Sequence, residues 1–245
     1  MELGTSHGPA PPMIAKTPRV SVIIPVFNEQ DAITAVLSDL PKHLITEIIV
    51  VDNGSTDATA RLASENGARV VSERRRGYGS ACLKGIALAD RPDIIAFIDG
   101  DYSDHPQELK QVLAPVLSGN VDFCVGSRVK GEREPGALLP HARFGNWLST
   151  SLIAAFFWVD FTDLGPFRAI RADTLARLDM QDTTFGWTVE MQVKAALLRI
   201  PTVEVPVSYR RRIGVSKITG TIEGTIKAGW IILFTIFKYA ARPIS

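Results

Sequence analysis

The chain has 245 residues and a formal net charge of +1, with 46% hydrophobic and 22% charged residues. This is an ordinary globular balance, and the length suits one large α/β domain or two small ones. A net charge so near zero gives no global field for nucleic acid, so no nucleic-acid partner is expected. Cys82 and Cys124 lack metal or redox spacing and are interpreted as buried free thiols in a reducing cytosol.

The first 18 residues are rich in proline and glycine and show no periodicity, which predicts a disordered lead-in. No secretory signal is recognised, and no uninterrupted apolar run reaches about 18 residues, so a membrane-spanning helix is not expected. Together with the apolar helices described below, this favours a cytoplasmic protein that is peripherally associated with the membrane.

From residue 19 onward, short apolar runs alternate with helical patterns. Strands are predicted at 19–24, 47–51, 68–72, 94–98 and 121–125. Helices are predicted between them, at 30–40, 58–65, 80–89 and 104–117. This alternation predicts an α/β fold with a mainly parallel, Rossmann-like sheet flanked by helices and joined by right-handed crossovers.

The pattern loosens after residue 128. A basic loop, 129–143, precedes the aromatic stretch 144–159, which is either a core helix or a helix on a membrane or lipid groove. A short strand after residue 168, helices at 172–178 and 186–198, and a strand at 203–209 follow.

The C-terminal part is predicted to be a basic loop, 210–217, followed by an amphipathic helix, 218–241. The apolar end of this helix lies between Lys227 and Lys238, which suits an interfacial anchor. We therefore divide the chain into the lead-in 1–18, a catalytic domain 19–209 and a membrane-proximal part 210–245. The catalytic domain has a donor half, 19–128, and an acceptor half, 129–209.

Three carboxylates follow the predicted strand 94–98 within six residues. Asp99 and Asp101 point the same way in an extended segment, and Gly100 lets the backbone approach a ligand. Two convergent carboxylates repel each other unless a cation lies between them. Hard oxygen ligands suit Mg²⁺ or Mn²⁺, which also bind substrate phosphates. We expect a divalent-metal diphosphate site here, although an Asp-x-Asp pair in a solvated loop is the simpler alternative.

Other strand ends supply groups that suit a nucleotide. Phe27 is placed beside a base, Asn53 on its polar edge and Asp99 near ribose and a metal-bound water. The chain has no Gly-x-Gly-x-x-Gly after the first strand and no Walker A lysine loop. Without a glycine cradle, a cation is expected to neutralise the diphosphate.

These motifs, in this order, resemble the family 2 inverting glycosyltransferases of GT-A fold. Within them the chain is similar to dolichol- or polyprenyl-phosphate mannosyl- and glucosyltransferases, over about residues 19–220. The motifs that carry the resemblance are Pro25-x-Phe27-Asn28-Glu29, Val51-Asp52-Asn53-Gly54-Ser55-x-Asp57, Asp99-Gly100-Asp101, Gly126-Ser127-Arg128 and Ser216-Lys217.

The resemblance implies a role for each matching residue. Nucleoside contacts fall on Pro25, Phe27, Glu29, Val51 and Asn53, while Asp99 and Asp101 serve the metal and diphosphate. Arg76, Gly100 and Arg128 are added to the donor site. The acceptor phosphate is assigned to Ser127, Arg128, Arg168, Arg212 and Lys217, and the catalytic group to Asp101, Arg128, Arg212 and Lys217. The basic loop is expected to close over donor and acceptor.

Two positions depart from the family pattern. Position 53 is often Asp in such enzymes and is Asn here, and a Gln that often serves the metal is absent. Asp104 is favoured over Ser103 as its replacement, which makes Asp99, Asp101 and Asp104 the expected metal ligands.

The expected reaction is transfer of mannose or glucose from a GDP- or UDP-sugar to a polyprenyl or dolichyl phosphate, with Mg²⁺ or Mn²⁺. A phosphate monoester is largely dianionic at neutral pH and needs no protein base. One alternative is a neutral hydroxyl acceptor, with Asp163 or Glu190 as the base. Another is a non-catalytic nucleotide-sugar binding protein. A separate membrane subunit that helps to hold the chain also fits the sequence.

Overall fold

The computed structural model of the chain describes residues 17–214 and 222–241. Within these ranges, seven strands form one sheet with the order β3-β2-β1-β4-β6-β5-β7. The strands are β1 Val20–Val26, β2 Glu47–Asp52, β3 Arg69–Ser72, β4 Ile94–Phe97, β5 Phe123–Ser127, β6 Arg168–Arg171 and β7 Thr202–Pro206. Most of the predicted lead-in, and Lys217 of the predicted basic loop, lie outside the described residues.

The sheet is mainly parallel, as the sequence predicts. β6 alone among these strands runs antiparallel to its two neighbours, β4 and β5. The remaining pairings are parallel, so six carboxyl ends meet at one edge of the sheet. That edge is where side chains that follow the strands are brought together.

Helices cover both faces of the sheet, because the buried strands present apolar side chains on each side. The helices are α1 Ile33–Asp39, α2 Thr59–Glu65, α3 Tyr78–Leu88, α4 Leu109–Leu117, α5 Pro140–Phe157, α6 Ala172–Leu178, α7 Trp187–Leu197 and α8 Ile222–Ala240. Side chains of α1, α2 and α4 share one hydrophobic core, and those of α3 and α5–α8 share the other. Cys82 and Cys124 are buried and unpaired, as expected.

β1 shows a difference from the sequence prediction. Pro25 was expected to end the strand, but β1 continues to Val26 with Pro25 in register with Val51 of β2. On the other side, β4 pairs with β1 only as far as Ile23. Proline lacks a backbone N–H, but it is tolerated at this position because β1 no longer pairs with β4 there.

The aromatic helix α5 has features of both predicted alternatives, a core helix and a helix with an exposed aromatic surface. Its side chains Ile153 and Phe157 are buried in the core, whereas Phe144 and Trp147 are about 60% exposed. It packs against α8, where the rings of Phe156 and Phe237 meet edge to face with centroids 5.6 Å apart. None of the helices described here is both long and apolar enough to cross a bilayer.

Candidate active site

A cavity of about 410 Å³ opens at the carboxyl edge of β1, β2 and β4. Nine of the predicted site residues line it, which the parallel strands bring together from distant parts of the sequence. These residues are Pro25, Phe27, Glu29, Asn53, Arg76, Asp99, Gly100, Asp101 and Arg212. We refer to this space as the donor cavity.

The acidic motif after β4 forms one side of the donor cavity. The Asp101 Oδ1 accepts hydrogen bonds from the Ser103 backbone N–H (2.9 Å) and hydroxyl (2.6 Å). Its Oδ2 lies 3.0 Å from an Arg212 nitrogen, which also lies 3.2 Å from Glu29. Arg212 therefore bridges two predicted site carboxylates. A Cβ at Gly100 would lie only 2.6 Å from Cγ1 of Val26, so glycine is needed between the acids.

Asp99 and Asp104 hold carboxylate oxygens that lack donors. Within the described residues, Oδ1 of Asp99 and both oxygens of Asp104 are inaccessible and have no partner in hydrogen-bond geometry. Burial, followed by repulsion from Asp101, raises the pKa of Asp99 to about 7. Burial, followed by repulsion from Asp99, also raises the pKa of Asp104. The ionised forms of these neighbouring carboxylates repel each other, and a bound cation would relieve that repulsion, so their chemistry fits a hard divalent ion.

The predicted three-carboxylate ligand set needs correction. Asp104 is 1% exposed and does not line the donor cavity. Among residues 17–214 and 222–241, no three His, Cys, Asp or Glu side chains are grouped as a metal site. Of the three predicted ligands, Asp99 and Asp101 line the cavity, and further ligands for a cation there are expected from water or substrate oxygens.

Asn53 fixes the loop between β3 and α3. Its side-chain nitrogen donates to the carbonyls of Glu73 (2.9 Å) and Arg75 (2.8 Å). Its oxygen accepts from the N–H of Gly77 at 2.8 Å. The amide at this position is explained by two carbonyls that require a donor, and an aspartate cannot supply one when ionised. Both donor hydrogens are thus already used by the chain itself.

The loop held by Asn53 delivers Arg76 to the aromatic wall of the cavity. The guanidinium carbon of Arg76 lies 3.8 Å from the centroid of the Phe27 ring, a cation–π contact. By contrast, the side chain of Val51 is fully buried in the core and does not line the cavity. The nucleoside contact expected at Val51 stays a prediction, and this burial leaves it to the backbone.

Arg128 is held by a buried ion pair. Its Nε and Nη2 donate to the two oxygens of Asp163 at 2.8 and 2.7 Å, and its backbone N–H donates to Oδ2 at 2.7 Å. Asp163 is fully buried. Burial opposes the charge on Arg128, but attraction to Asp163 outweighs it and the pKa of Arg128 rises. Asp163 is therefore buried and ion-paired, which is unfavourable for the base of the hydroxyl-acceptor alternative.

Two predicted acceptor-phosphate residues are structural. Arg168 is fully buried at the start of β6, and its guanidinium donates to the carbonyls of Gly165 and Thr188. The hydroxyl of Ser127 is buried and lies 2.7 Å from that of Thr162. Neither side chain lines the donor cavity or the cavity next to it.

A second cavity of about 520 Å³ adjoins the first and shares Arg212 with it. We call it the acceptor cavity, after the role proposed for it below. Arg128, Arg211 and Tyr209 line it, and the ring centroid of Tyr209 lies 5.0 Å from the Arg128 guanidinium. Sequence reasoning missed Tyr209, because nothing in its strand context marks it.

Sequence reasoning also missed Tyr78 and Phe185, which line the donor cavity. The glycines around Tyr78 carried a signal. A Cβ on Gly77 or Gly79 would lie 2.0 Å from a backbone carbonyl oxygen of Thr183 or Asp182, so both glycines permit a close approach between two chain segments.

Comparison with known proteins agrees with this geometry. Residues 21–178 match the model of the glycosyl transferase family 2. The chain belongs to this family. It is 36% identical over 212 residues to an uncharacterized glycosyltransferase of Mycobacterium bovis, covering 85% of this chain and 94% of the relative. It is 30% identical to an undecaprenyl-phosphate mannosyltransferase of Micrococcus luteus, covering 84% of this chain and 90% of the relative.

The fold of this glycosyltransferase is also found in a solved structure. Glucosyl-3-phosphoglycerate synthase from Mycobacterium tuberculosis, in complex with Mn²⁺, uridine diphosphate and glucosyl-3-phosphoglycerate, matches with a TM-score of 0.73. The two share 22% sequence identity, and the match covers 92% of this chain and 81% of the other. The expected GT-A architecture and membership of family 2 are thus confirmed.

Proposed function

We propose that this glycosyltransferase moves a hexose from a nucleotide-sugar to a polyprenyl phosphate at a membrane surface, with inversion and with Mg²⁺ or Mn²⁺. The name of the Micrococcus relative supports a lipid-phosphate acceptor. The Mn²⁺ and uridine diphosphate bound in the matching synthase structure support a uridine nucleotide and a divalent ion. The observation that carries the proposal is the acceptor cavity, whose lining combines three arginines with mainly small or apolar residues.

The donor cavity suits a nucleotide diphosphate. Phe27 and Arg76 offer a stacked surface for a base, and Asp99 and Asp101 would hold the cation. When bound, that cation supplies positive charge to the diphosphate and so stabilises it as a leaving group. Arg212 lies at the boundary of the two cavities, where it faces both substrates.

The acceptor cavity suits an amphiphile. Arg128, Arg211 and Arg212 supply its cationic lining. Most of the remaining lining, from α5, α8 and their neighbours, consists of small or apolar residues. These residues include Leu138, Leu139, Ala142, Gly145, Leu164, Ala228, Gly229 and Ile232. A phosphate placed at the arginines would leave its hydrocarbon chain along this wall, because apolar contact stabilises the chain and ion pairing stabilises the head.

The chemistry requires no protein base. A phosphate monoester carries close to two negative charges at neutral pH and attacks the anomeric carbon directly. The arginines hold two like-charged partners together, which provides orientation and charge compensation. The hydroxyl-acceptor alternative needs a free carboxylate, yet Asp163 is bound by Arg128 and Glu190 is buried with its oxygens occupied. This observation favours the phosphate acceptor.

Two helices that line the acceptor cavity, α5 and α8, also expose aromatic side chains. Trp158, at the end of α5, is 91% exposed, and Trp230 on α8 is 71% exposed. Arg143 on α5 and Lys238 on α8 lie on the same two helices. Aromatic and basic side chains together suit the interface of an anionic bilayer, where the lipid acceptor resides.

The test is a panel of labelled GDP- and UDP-hexoses, offered with a short polyprenyl phosphate and Mn²⁺ or Mg²⁺. Label should appear in the organic phase, and chelation of the metal should abolish it. Transfer to a water-soluble sugar without transfer to lipid phosphate would establish the hydroxyl-acceptor alternative instead. Tight nucleotide-sugar binding without turnover on any acceptor would establish a binding protein.

A further inference from the structure

Glu190, on α7, is only 1% exposed, and both of its carboxylate oxygens accept hydrogen bonds. Its Oε1 accepts from the Tyr239 hydroxyl at 2.7 Å and lies 3.0 Å from the Lys194 ammonium. Its Oε2 accepts from the backbone N–H of Asp182 at 2.7 Å, and the N–H of Gln181 lies 3.1–3.2 Å from both oxygens. Burial disfavours the carboxylate, but these donors outweigh burial and lower the pKa of Glu190.

The backbone that Glu190 holds belongs to the segment 181–186, which packs against the turn that opens α3. The carbonyl of Thr184 accepts from the N–H of Gly79, and that of Thr183 accepts from the N–H of Ser80, each at 3.0 Å. Gly77 and Gly79 approach this segment so closely that a side chain at either position would collide with its carbonyls. The position of the turn that opens α3 is therefore coupled to the position of the segment 181–186.

Both pieces line the donor cavity. The segment 181–186 contributes Phe185, and the turn contributes Gly77 and Tyr78. Arg76, which lies over Phe27, comes immediately before this turn. The position of the segment thus contributes to the shape of the donor cavity.

Tyr239 connects this wall to α8. Its side chain is 3% exposed, and its hydroxyl reaches across to α7. One turn earlier on α8, Thr235 lies beside the segment, since a Cβ on Gly186 would be 2.9 Å from its hydroxyl oxygen. The opposite side of α8 carries the exposed Trp230, Phe234 and Phe237. One buried carboxylate therefore joins the aromatic surface helix to the donor cavity.

We propose that Glu190 is a positioning residue for the donor site: with Tyr239 of α8 it clamps the segment 181–186 against the Gly77–Ser80 turn. The affinity for the nucleotide donor then depends on how α8 packs against α7. The inference rests on the proposed assignment of this cavity to a nucleotide, and it is independent of the acceptor.

The test compares the full-length wild type with Tyr239→Phe, which removes one hydroxyl and leaves Glu190 its backbone donors. Binding of UDP and of GDP, each with Mn²⁺, is measured by calorimetry. Couplings between sites commonly change affinity about 5- to 150-fold, so we expect about fivefold weaker binding or more. Hydrogen exchange of the amides of Gly79 and Ser80 should also accelerate in the variant.

Ile236→Val is the matched control, because it trims a fully buried side chain of the same helix and leaves the clamp intact. Its melting temperature should fall, while its nucleotide affinity should equal that of the wild type. Glu190→Gln should weaken binding further than Tyr239→Phe. Unchanged affinity and exchange in Tyr239→Phe, or an equal loss of affinity in Ile236→Val, would overturn the inference. A wild type that binds neither nucleotide would overturn the donor-cavity assignment and the inference with it.

Discussion

Replacement of Asn53 by aspartate tests the assignment of this side chain as the anchor of the Arg76 loop. The substitution changes one atom and keeps the acceptor that faces the N–H of Gly77. It places an anionic oxygen where the amide nitrogen now donates to the carbonyls of Glu73 and Arg75. The resemblance described above implies that aspartate is acceptable at position 53, whereas the contacts of this chain predict that aspartate is harmful there.

The contacts set the size of the effect. Two neutral hydrogen bonds at about 0.5–1.5 kcal/mol each give a loss of about 1–3 kcal/mol. This is a substantial part of the roughly 5–15 kcal/mol that stabilises an ordinary domain. We therefore expect either a lower melting temperature or a displaced loop with weaker nucleotide binding.

The dependence on pH separates this account from a general loss of stability. The two carbonyls disfavour the ionised aspartate, so its pKa in the folded variant lies above the ordinary value of about 3.9. The folded variant then binds the aspartate proton more tightly than the unfolded chain does. The loss of stability in the variant therefore becomes smaller as the pH falls towards the pKa of the folded state. Thermal melts of Asn53→Asp at pH 5 and pH 8 measure this, with the exposed Asn120→Asp as control. Wild-type stability and nucleotide affinity at pH 8 would refute the reasoning.

Three further results are expected. Asp101→Asn should lower turnover about 100-fold or more with little change in melting temperature, and near wild-type initial rates would remove this residue from the catalytic group. Gly100→Ala should destabilise the fold by about 1–3 kcal/mol, because the added methyl meets Val26 at 2.6 Å. Addition of Val26→Ala should recover most of that loss in chemical denaturation, and no recovery would mean that the contact is not the cause. The double variant Trp158→Ser, Trp230→Ser should float less with anionic liposomes, and undiminished flotation would contradict the proposed membrane surface.

The elements that sequence predicted well are those with strong local signals. The buried strand before Asp99 is a continuous apolar run, and β4 lies where that run was. Parallel strands end at one edge of a sheet, so Phe27, Asn53 and Asp101 were expected to meet, and they do. Their convergence follows from chain direction alone and needs no knowledge of side-chain packing.

The features that sequence missed depend on contacts between distant segments. Nothing local indicates that Asp163 binds Arg128, 35 residues away, or that Glu190 binds Tyr239. The antiparallel insertion of β6 between β4 and β5 buries Arg168, which had been assigned to the acceptor phosphate from sequence. A buried charge is kept only where partners are supplied, and those partners are set by the tertiary structure.

The central claim is that Asp99 and Asp101 hold a divalent ion against the donor diphosphate. The most direct test is anomalous scattering from crystals grown with Mn²⁺ and the nucleotide that binds best. The account predicts a manganese peak about 2.0–2.3 Å from an Asp101 oxygen, shared with the diphosphate and lost in Asp101→Asn. A nucleotide seated in the donor cavity with no manganese peak beside residues 99–101 would contradict it.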